Sequence, residues 1–152
     1  MTPYVADPVY LNGRFLPLAE AGISPLDRGF LYGDGVYELI PVYSRRPFRL
    51  AEHLTRLQAT LDGIRLANPL DAAGWTAVVE RLIGEAPWAD QLIYLQVTRG
   101  ADNKRDHAFP PTSVPPISTF ATSARRAPWK IILKPAQMIA MVTTAIEIVT
   151  RI

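Results

Sequence analysis

The order in which extended and helical patterns follow one another most constrains this fold. Residues 36–43 and residues 91–98 alternate between apolar and polar side chains, as strands do. Between them, apolar residues recur at helical spacing over 51–66, and a second helix is predicted from Asp71 as its N-cap. Strands that precede two helices and return after them predict an α+β fold with a mainly antiparallel sheet, because a parallel sheet requires regular βαβ alternation.

Turn signals place the shorter strands. The dipeptide Asn12-Gly13 tolerates the positive φ angles of a type I′ turn, so residues 3–18 are predicted to form a β-hairpin. Residues 44–47 are predicted as a turn into a short partner strand at 48–50. A further strand is expected at 117–122.

The chain is predicted to divide near residue 122. Residues 1–122 form the expected N-terminal domain, and residues 123–152 are interpreted as a linker and the first strands of an incomplete second domain. The apolar, β-prone segment 138–152 leaves three possibilities open. It pairs with this domain, pairs with a partner chain, or opens the second domain, because a lone strand leaves its backbone polar groups unsatisfied.

Composition excludes several classes of function. The 152 residues include no cysteine, so neither a disulfide framework nor a thiolate zinc site is expected. The formal charge is only +2 and the basic residues are scattered, which does not indicate nucleic-acid binding. No apolar run is long enough to span a membrane and no signal peptide is evident, so we expect a cytoplasmic protein.

A few polar and aromatic residues could carry chemistry. Arg56 lies on the polar side of a predicted helix, where its guanidinium suits a phosphate or carboxylate, although a solvated surface arginine is the commoner outcome. Tyr37, on a strand beside the turn Gly33-Asp34-Gly35, could present a phenol to a ligand or simply pack its ring. Arg105 and His107, one residue apart in a loop, would form a carboxylate trap if the backbone is extended. No histidine cluster has metal-ligand spacing, so no metal is expected.

Four collinear motifs resemble those of the class IV, or fold-type IV, pyridoxal-phosphate aminotransferases over roughly residues 7–122. They are Leu26-Asp27-Arg28-Gly29-Phe30, Leu31-Tyr32-Gly33-Asp34-Gly35-Val36-Tyr37-Glu38, Glu52-His53-Leu54-Thr55-Arg56-Leu57 and Tyr94-Leu95-Gln96-Val97-Thr98-Arg99-Gly100. Within that family, Arg105-Asp106-His107 is similar to the R-x-H loop of the D-amino-acid aminotransferases.

The resemblance implies roles for single residues. Arg56 matches the arginine that holds the phosphate of pyridoxal 5'-phosphate, and Tyr37 matches the tyrosine on the substrate side of that cofactor. Arg105 and His107 match the trap for the substrate carboxylate, and Tyr94 matches a further aromatic residue near the pocket. The resemblance to the D-amino-acid branch implies exchange of an amino group between a D-amino acid and a 2-oxo acid. In this family the trap reaches into the neighbouring subunit, which implies a homodimer.

The sequence departs from the family pattern near its end. The lysine that would form the Schiff base is expected a few positions beyond a weak match at residues 146–152, and Lys104, Lys130 and Lys134 match nothing catalytic. No catalytic residue is therefore predicted within this chain, which we expect to be inactive alone. Two alternatives remain: a relative of aminodeoxychorismate lyase or of branched-chain aminotransferase, which Arg105 and His107 disfavour, or a non-catalytic fragment that binds a partner or a phosphate ligand.

Overall fold

A six-stranded antiparallel sheet forms the body of the protein. The computed structural model describes residues 8–102, 106–108 and 117–124, the last group as backbone only. The strands follow the order β2-β1-β6-β5-β3-β4 across the sheet. Their bounds are β1 Pro8–Leu11, β2 Arg14–Pro17, β3 Gly35–Tyr43, β4 Arg46–Pro47, β5 Gln91–Thr98 and β6 Ile117–Ala124. This arrangement confirms the predicted α+β class and its antiparallel sheet. The predicted strands beyond residue 124 lie outside the described residues.

The helices form a layer on one face of this sheet. A short 3-10 helix, Leu18–Glu20, precedes the α-helices α1 Arg28–Tyr32, α2 Leu50–Gly63 and α3 Ala72–Glu85. Helix α3 begins as predicted, with the Asp71 carboxylate accepting a hydrogen bond from the backbone N–H of Gly74 at 2.7 Å. Together the helices and the inner sheet face bury one core, whose largest fully buried side chains are Trp75, Ile40, Leu57, Leu61, Leu82, Ile93 and Leu95.

Both hairpin turns have left-handed backbone. Asn12 and Gly13 have φ angles of 48° and 87°, and Pro8–Leu11 pairs with Arg14–Pro17, which confirms the first hairpin. Residues 3–7 of the predicted range lie outside the described residues. At the second turn Ser44 and Arg45 have φ angles of 48° and 63°, so the chain reverses at once and Tyr43 pairs with Arg46. The prediction of a partner strand at 48–50 is therefore wrong: the partner is Arg46–Pro47, and α2 already begins at Leu50.

Helix α1 was not predicted, because five residues are too few to show a helical period. Asp27 caps it by accepting hydrogen bonds from the backbone N–H groups of Gly29 at 2.8 Å and Phe30 at 3.2 Å. Gly33 ends it with a φ angle of 68°. The turn formed by Gly33 and Asp34 then leads into β3, so α1 packs beside the start of that strand.

The second face of the sheet is open among the described residues. Alternation along β3 directs Val36, Ile40 and Val42 into the core, while Tyr37 and Leu39 lie on the outer face with exposed fractions of 52% and 43%.

None of the helices in the described ranges combines the length and the apolar character that crossing a bilayer requires.

Close packing of α1 on β5 predicts an unusual response to alanine. A Cβ atom at Gly29 would lie 2.8 Å from Cβ of Thr98, so Gly29→Ala should lower the free energy of unfolding by about 1–3 kcal/mol despite alanine's higher helix propensity. Gly84→Ala is the matched control, because a Cβ atom there meets nothing within 4 Å. This control should be neutral or stabilising by up to about 1 kcal/mol. Urea unfolding measures both, and equal effects would contradict the packing argument.

Candidate functional site

The candidate site lies at the end of the sheet where β3 begins and β5 ends. Gly35 pairs with Thr98 in the ladder that joins these two strands. The turn before β3 and the residues after β5 are therefore adjacent, and a backbone hydrogen bond from Arg99 to the carbonyl of Asp34 spans 3.0 Å. Loops at such a strand end supply functional side chains on a rigid support.

A buried carboxylate holds Arg56 at this end. Glu38, 3% exposed, projects from β3 towards α2 and accepts hydrogen bonds from Nε of Arg56 at 2.7 Å and from Nη2 at 2.5 Å. The Arg56 side chain is nevertheless 65% exposed. The pair therefore orients a guanidinium through one edge and leaves most of its surface facing solvent.

His53 joins the same carboxylate. Its Nδ1 lies 2.8 Å from Oε2 of Glu38. Since an ionised carboxylate only accepts hydrogen bonds, Nδ1 carries the hydrogen and donates it. The 3.3 Å approach of Arg56 Nη2 to the same nitrogen is consequently not a hydrogen bond. Glu38 thus binds two side chains from one face of α2.

These contacts change the acidity of both partners. Burial opposes ionisation of Glu38, but the hydrogen bonds from Arg56 and His53 outweigh it, so the pKa of this carboxyl lies below its ordinary value. The hydrogen bond to Glu38 raises the pKa of Arg56 against a smaller effect of burial, and the negative charge of Glu38 acts in the same direction. The network is therefore a persistent ion pair at neutral pH.

Tyr37 and Tyr94 come together on the outer face of the sheet. Their ring centroids are 5.8 Å apart and the ring planes differ by 20°, an offset stack between neighbouring strands. The Tyr94 hydroxyl donates a hydrogen bond of 3.1 Å to the side-chain oxygen of Gln96. Burial raises the pKa of Tyr94, and a smaller electrostatic effect of Tyr37 acts in the same direction. The Tyr94 phenol therefore stays protonated at neutral pH.

The structure describes only one of the two residues predicted to form the carboxylate trap. Arg105 lies outside the described residues, so its predicted role remains a prediction. His107 is exposed, with its ring centroid 4.7 Å from that of Tyr32. Within the described part of the chain no hydrogen bond or ring contact joins His107 to Tyr37, Tyr94 or Arg56. The structure therefore brings the two tyrosines together, and separately gathers Arg56 with Glu38 and His53.

Sequence reasoning missed the charged cluster beside these residues. Asp34 accepts hydrogen bonds from Nε of Arg28 at 2.9 Å and from Nε of Arg99 at 2.9 Å, and both arginine side chains are at most 10% exposed. Asp34 follows Arg28 by six residues and precedes Arg99 by 65. The pattern of charged residues around the glycine turn was the only signal available, and it specified no partner.

The donor groups at this site suit an anion better than a metal. No group of three or more histidine or acidic side chains within the described ranges is arranged to bind a metal ion. Glu38 engages the Nε and Nη2 edge of Arg56, so the Nη1 side of the planar fork faces away from the carboxylate. Guanidinium groups bind phosphate through pairs of N–H donors, and the Nη1 side presents donors of that kind.

The sequence is similar to known proteins of one family. A family model described as amino-transferase class IV matches residues 35–148. D-alanine aminotransferase from Listeria innocua is 34% identical over 120 residues, which are 79% of this chain and 41% of that protein. The same enzyme from Staphylococcus epidermidis is 34% identical over 122 residues, or 80% and 43%. The chain thus spans about two fifths of the length of these relatives.

Solved structures agree on the fold. A 4-amino-4-deoxychorismate lyase from Pseudomonas aeruginosa superposes with a TM-score of 0.63 at 32% sequence identity. The superposition covers 80% of this chain and 42% of the lyase chain. The Escherichia coli branched-chain amino acid aminotransferase superposes with a TM-score of 0.72 at 21% sequence identity. The superposition covers 86% of this chain and 42% of the aminotransferase chain. At that identity the second likeness concerns the fold alone.

The Glu38 network predicts a pH-dependent loss of stability in Glu38→Gln. At neutral pH the amide loses the ionic hydrogen bonds to Arg56 and His53, so the free energy of unfolding should fall by about 1–3 kcal/mol. Folding lowers the pKa of Glu38, so the folded protein binds fewer protons than the unfolded chain between the two pKa values. The Glu38 carboxylate therefore contributes its full stabilisation above the pKa that it has in the unfolded chain. This stabilisation disappears as the pH falls through the lower pKa of Glu38 in the folded protein.

Urea unfolding at a series of pH values from neutral to acidic checks this prediction. The difference between the wild type and Glu38→Gln should shrink as the pH falls. Glu52→Gln is the control, since Glu52 lies on α2 and pairs with Arg49 but is 58% exposed, and it should change stability little at any pH. A wild-type advantage over Glu38→Gln that is independent of pH would contradict the ionic role of Glu38.

Proposed function

The chain belongs to the class IV aminotransferases, and from that premise we propose that it serves D-amino-acid transamination, the exchange of an amino group between a D-amino acid and a 2-oxo acid with pyridoxal 5'-phosphate. The observation that carries the proposal is Arg56, a largely exposed guanidinium oriented by a buried carboxylate. Its support on the substrate side is the sequence Arg105-Asp106-His107. The D-alanine aminotransferases to which the chain is 34% identical favour the same branch of the family.

Arg56 is proposed to hold the cofactor phosphate through the donors that Glu38 does not occupy. Because Glu38 and His53 restrict the guanidinium, little side-chain freedom is lost when a phosphate binds. When bound, pyridoxal phosphate supplies a conjugated ring that takes up electrons from the bond broken at the substrate α-carbon. This chain's part in the reaction is to fix the phosphate and hence the position of that ring.

The tyrosine pair is proposed as the wall of the substrate pocket. Stacking on Tyr94 holds the Tyr37 ring on the outer face of β3, where it is 52% exposed. An aromatic ring there excludes water from one side of a bound amino acid, while its hydroxyl offers a hydrogen bond. Substrate preference would then depend on which side chains fit against this pair.

The carboxylate trap is proposed to act across a homodimer. His107 packs on Tyr32 and makes no hydrogen bond or ring contact with Tyr37 or Tyr94 in the described part of its own chain. A trap that serves a second subunit would account for this separation. Turnover, substrates and assembly are properties of the whole protein, and this chain spans 41% of the length of its D-alanine aminotransferase relative.

A lyase acting on 4-amino-4-deoxychorismate is the second candidate function. The observation that favours it is the 32% identity to the lyase of Pseudomonas aeruginosa, which is close to that of the transaminases. The pair Arg105 and His107 argues for the transaminase, because Arg105-Asp106-His107 is similar to the R-x-H loop of the D-amino-acid aminotransferases. Binding of D-alanine without binding of the chorismate-derived amine would decide between the two.

Replacing Arg56 should remove selectivity for phosphate. We expect wild-type protein to bind pyridoxine 5'-phosphate more tightly than pyridoxine, and Arg56→Ala to weaken the phosphorylated ligand by roughly 10- to 100-fold, as expected for a lost ionic hydrogen bond. Neither ligand carries an aldehyde, so binding does not involve a Schiff base with a lysine. Calorimetric titration measures the affinities, with Arg46→Ala as the control because Arg46 is exposed on β4. An unchanged preference for phosphate in Arg56→Ala would contradict the assignment.

Replacing Arg105 should weaken substrates through their carboxylate. Arg105→Ala is expected to cost about 2–4 kcal/mol in the binding of D-alanine, by analogy with the loss of one partner of a charged hydrogen bond. Titration of D-alanine checks this value, and the adjacent substitution Lys104→Ala controls for the loss of one positive charge. The trap assignment fails if the two variants bind D-alanine equally well.

A further inference from the structure

Arg28 is a buried cation that the proposed reaction does not use. Its side chain is 3% exposed, at the first position of α1. One edge of the guanidinium binds Asp34, in the turn before β3, through Nε at 2.9 Å. Nη1 donates to the backbone carbonyl of Asp106 at 2.8 Å, and Nη2 makes a longer contact of 3.4 Å with that of His107. One side chain thus joins two loops that are more than 70 residues apart in sequence.

The Asp34 side of this link has further hydrogen bonds to the body of the protein. Arg99 binds the same carboxylate and donates through Nη2 to the carbonyl of Ile64 at 2.7 Å, where α2 ends. The backbone N–H of Arg28 also donates to the carbonyl of Gly100 at 2.8 Å. Arg28, the first residue of α1, is therefore linked directly to the end of β5. Through Asp34 and Arg99 it is also linked to the end of α2.

The segment 106–108 is exposed and has few other attachments in the described part of the chain. The His107 ring lies against Tyr32, and the guanidinium of Arg28 covers that tyrosine ring at 5.0 Å from its centroid. The hydrogen bond from the Ala108 N–H to the Asp106 side chain is local and does not tie the segment to the body. Arg28 supplies the hydrogen bonds that do.

We propose that Arg28 is a positioning residue, which fixes the backbone at Asp106 and His107 so that the carboxylate trap has a defined geometry. The proposal rests on the function proposed above for this loop. An arginine is required because its planar fork reaches a carboxylate and two carbonyls at once, whereas a lysine offers one nitrogen. Arg28 itself does not contact the substrate in this scheme.

Proton NMR of the two histidines tests the positioning. Only His53 and His107 contribute imidazole signals, and the Tyr32 ring, 4.7 Å away, should shift those of His107. In Arg28→Lys the His107 signals should move to their random-coil position while the His53 signals, set by contact with Glu38, stay in place. Arg99→Lys is the matched control, because it perturbs the same Asp34 carboxylate but not the loop carbonyls. It should leave the His107 signals shifted, and unchanged His107 signals in Arg28→Lys would overturn the proposal.

Ligand titration separates this inference from the function on which it rests. Misplacing the trap should weaken D-alanine binding roughly tenfold in Arg28→Lys, in line with the cost of displaced binding groups, and leave the affinity for pyridoxine 5'-phosphate at Arg56 unchanged. A general structural defect would weaken both ligands and would overturn the positioning role. If the His107 signals in Arg28→Lys move to their random-coil position but the affinity for D-alanine is unchanged, the function proposed for the loop is rejected. The same result would still support the role of Arg28 in holding the loop of the wild-type protein.

The wild-type protein provides a test that does not depend on a variant folding. If Arg28 fixes the segment, the backbone amides of Asp106, His107 and Ala108 should show heteronuclear NOE values equal to those of β5. Values typical of a mobile loop in the wild type would overturn the proposal, whatever the variants do.

Discussion

Pairing of β3 with β5 is the constraint on which the rest of the structure depends. The two strands are matched over eight residue pairs, from Gly35 with Thr98 to Val42 with Gln91. A shift of one residue would turn every side chain of one strand to the opposite face. Such a slip would expose Ile40 and Val42, which are fully buried, so the apolar core fixes the register. The same register brings Asp34 beside Arg99 and places the candidate site at the strand end.

The period of two along β3 divides the site between two faces. Glu38 points into the helix layer and orients Arg56, whereas Tyr37, the preceding residue, lies on the outer face against Tyr94. Glu38 and Tyr37 are adjacent in sequence, but they make their contacts on opposite faces of the sheet and do not compete for space. Because α2 packs against β3, Arg56 approaches Glu38 from the helix side of the sheet.

Features with local signals were predictable from the sequence, and features that depend on long-range pairing were not. Asn12-Gly13 and the cap Asp71 determine structure within a few residues, and both predictions were confirmed. The strand at 48–50 was wrong because the left-handed pair Ser44 and Arg45 reverses the chain earlier than composition indicated. Arg56 could be selected by its side chain, but Glu38 could not be assigned to it, since the contact joins two elements 18 residues apart. The contacts of Arg28 with residues 106 and 107 required the whole fold.

Burial explains why two arginines near the same strand end make different contacts. Both are held by carboxylates in or just before β3, Arg28 by Asp34 and Arg56 by Glu38. At 3% exposure, a guanidinium must satisfy its donors within the protein, and Arg28 does so by binding backbone carbonyls, which fixes a loop. At 65% exposure, water satisfies the remaining donors of Arg56, and a ligand can replace that water at modest cost. A guanidinium paired through one edge and hydrated on the other is therefore the more effective anion site, and one enclosed on both edges is the more effective structural link.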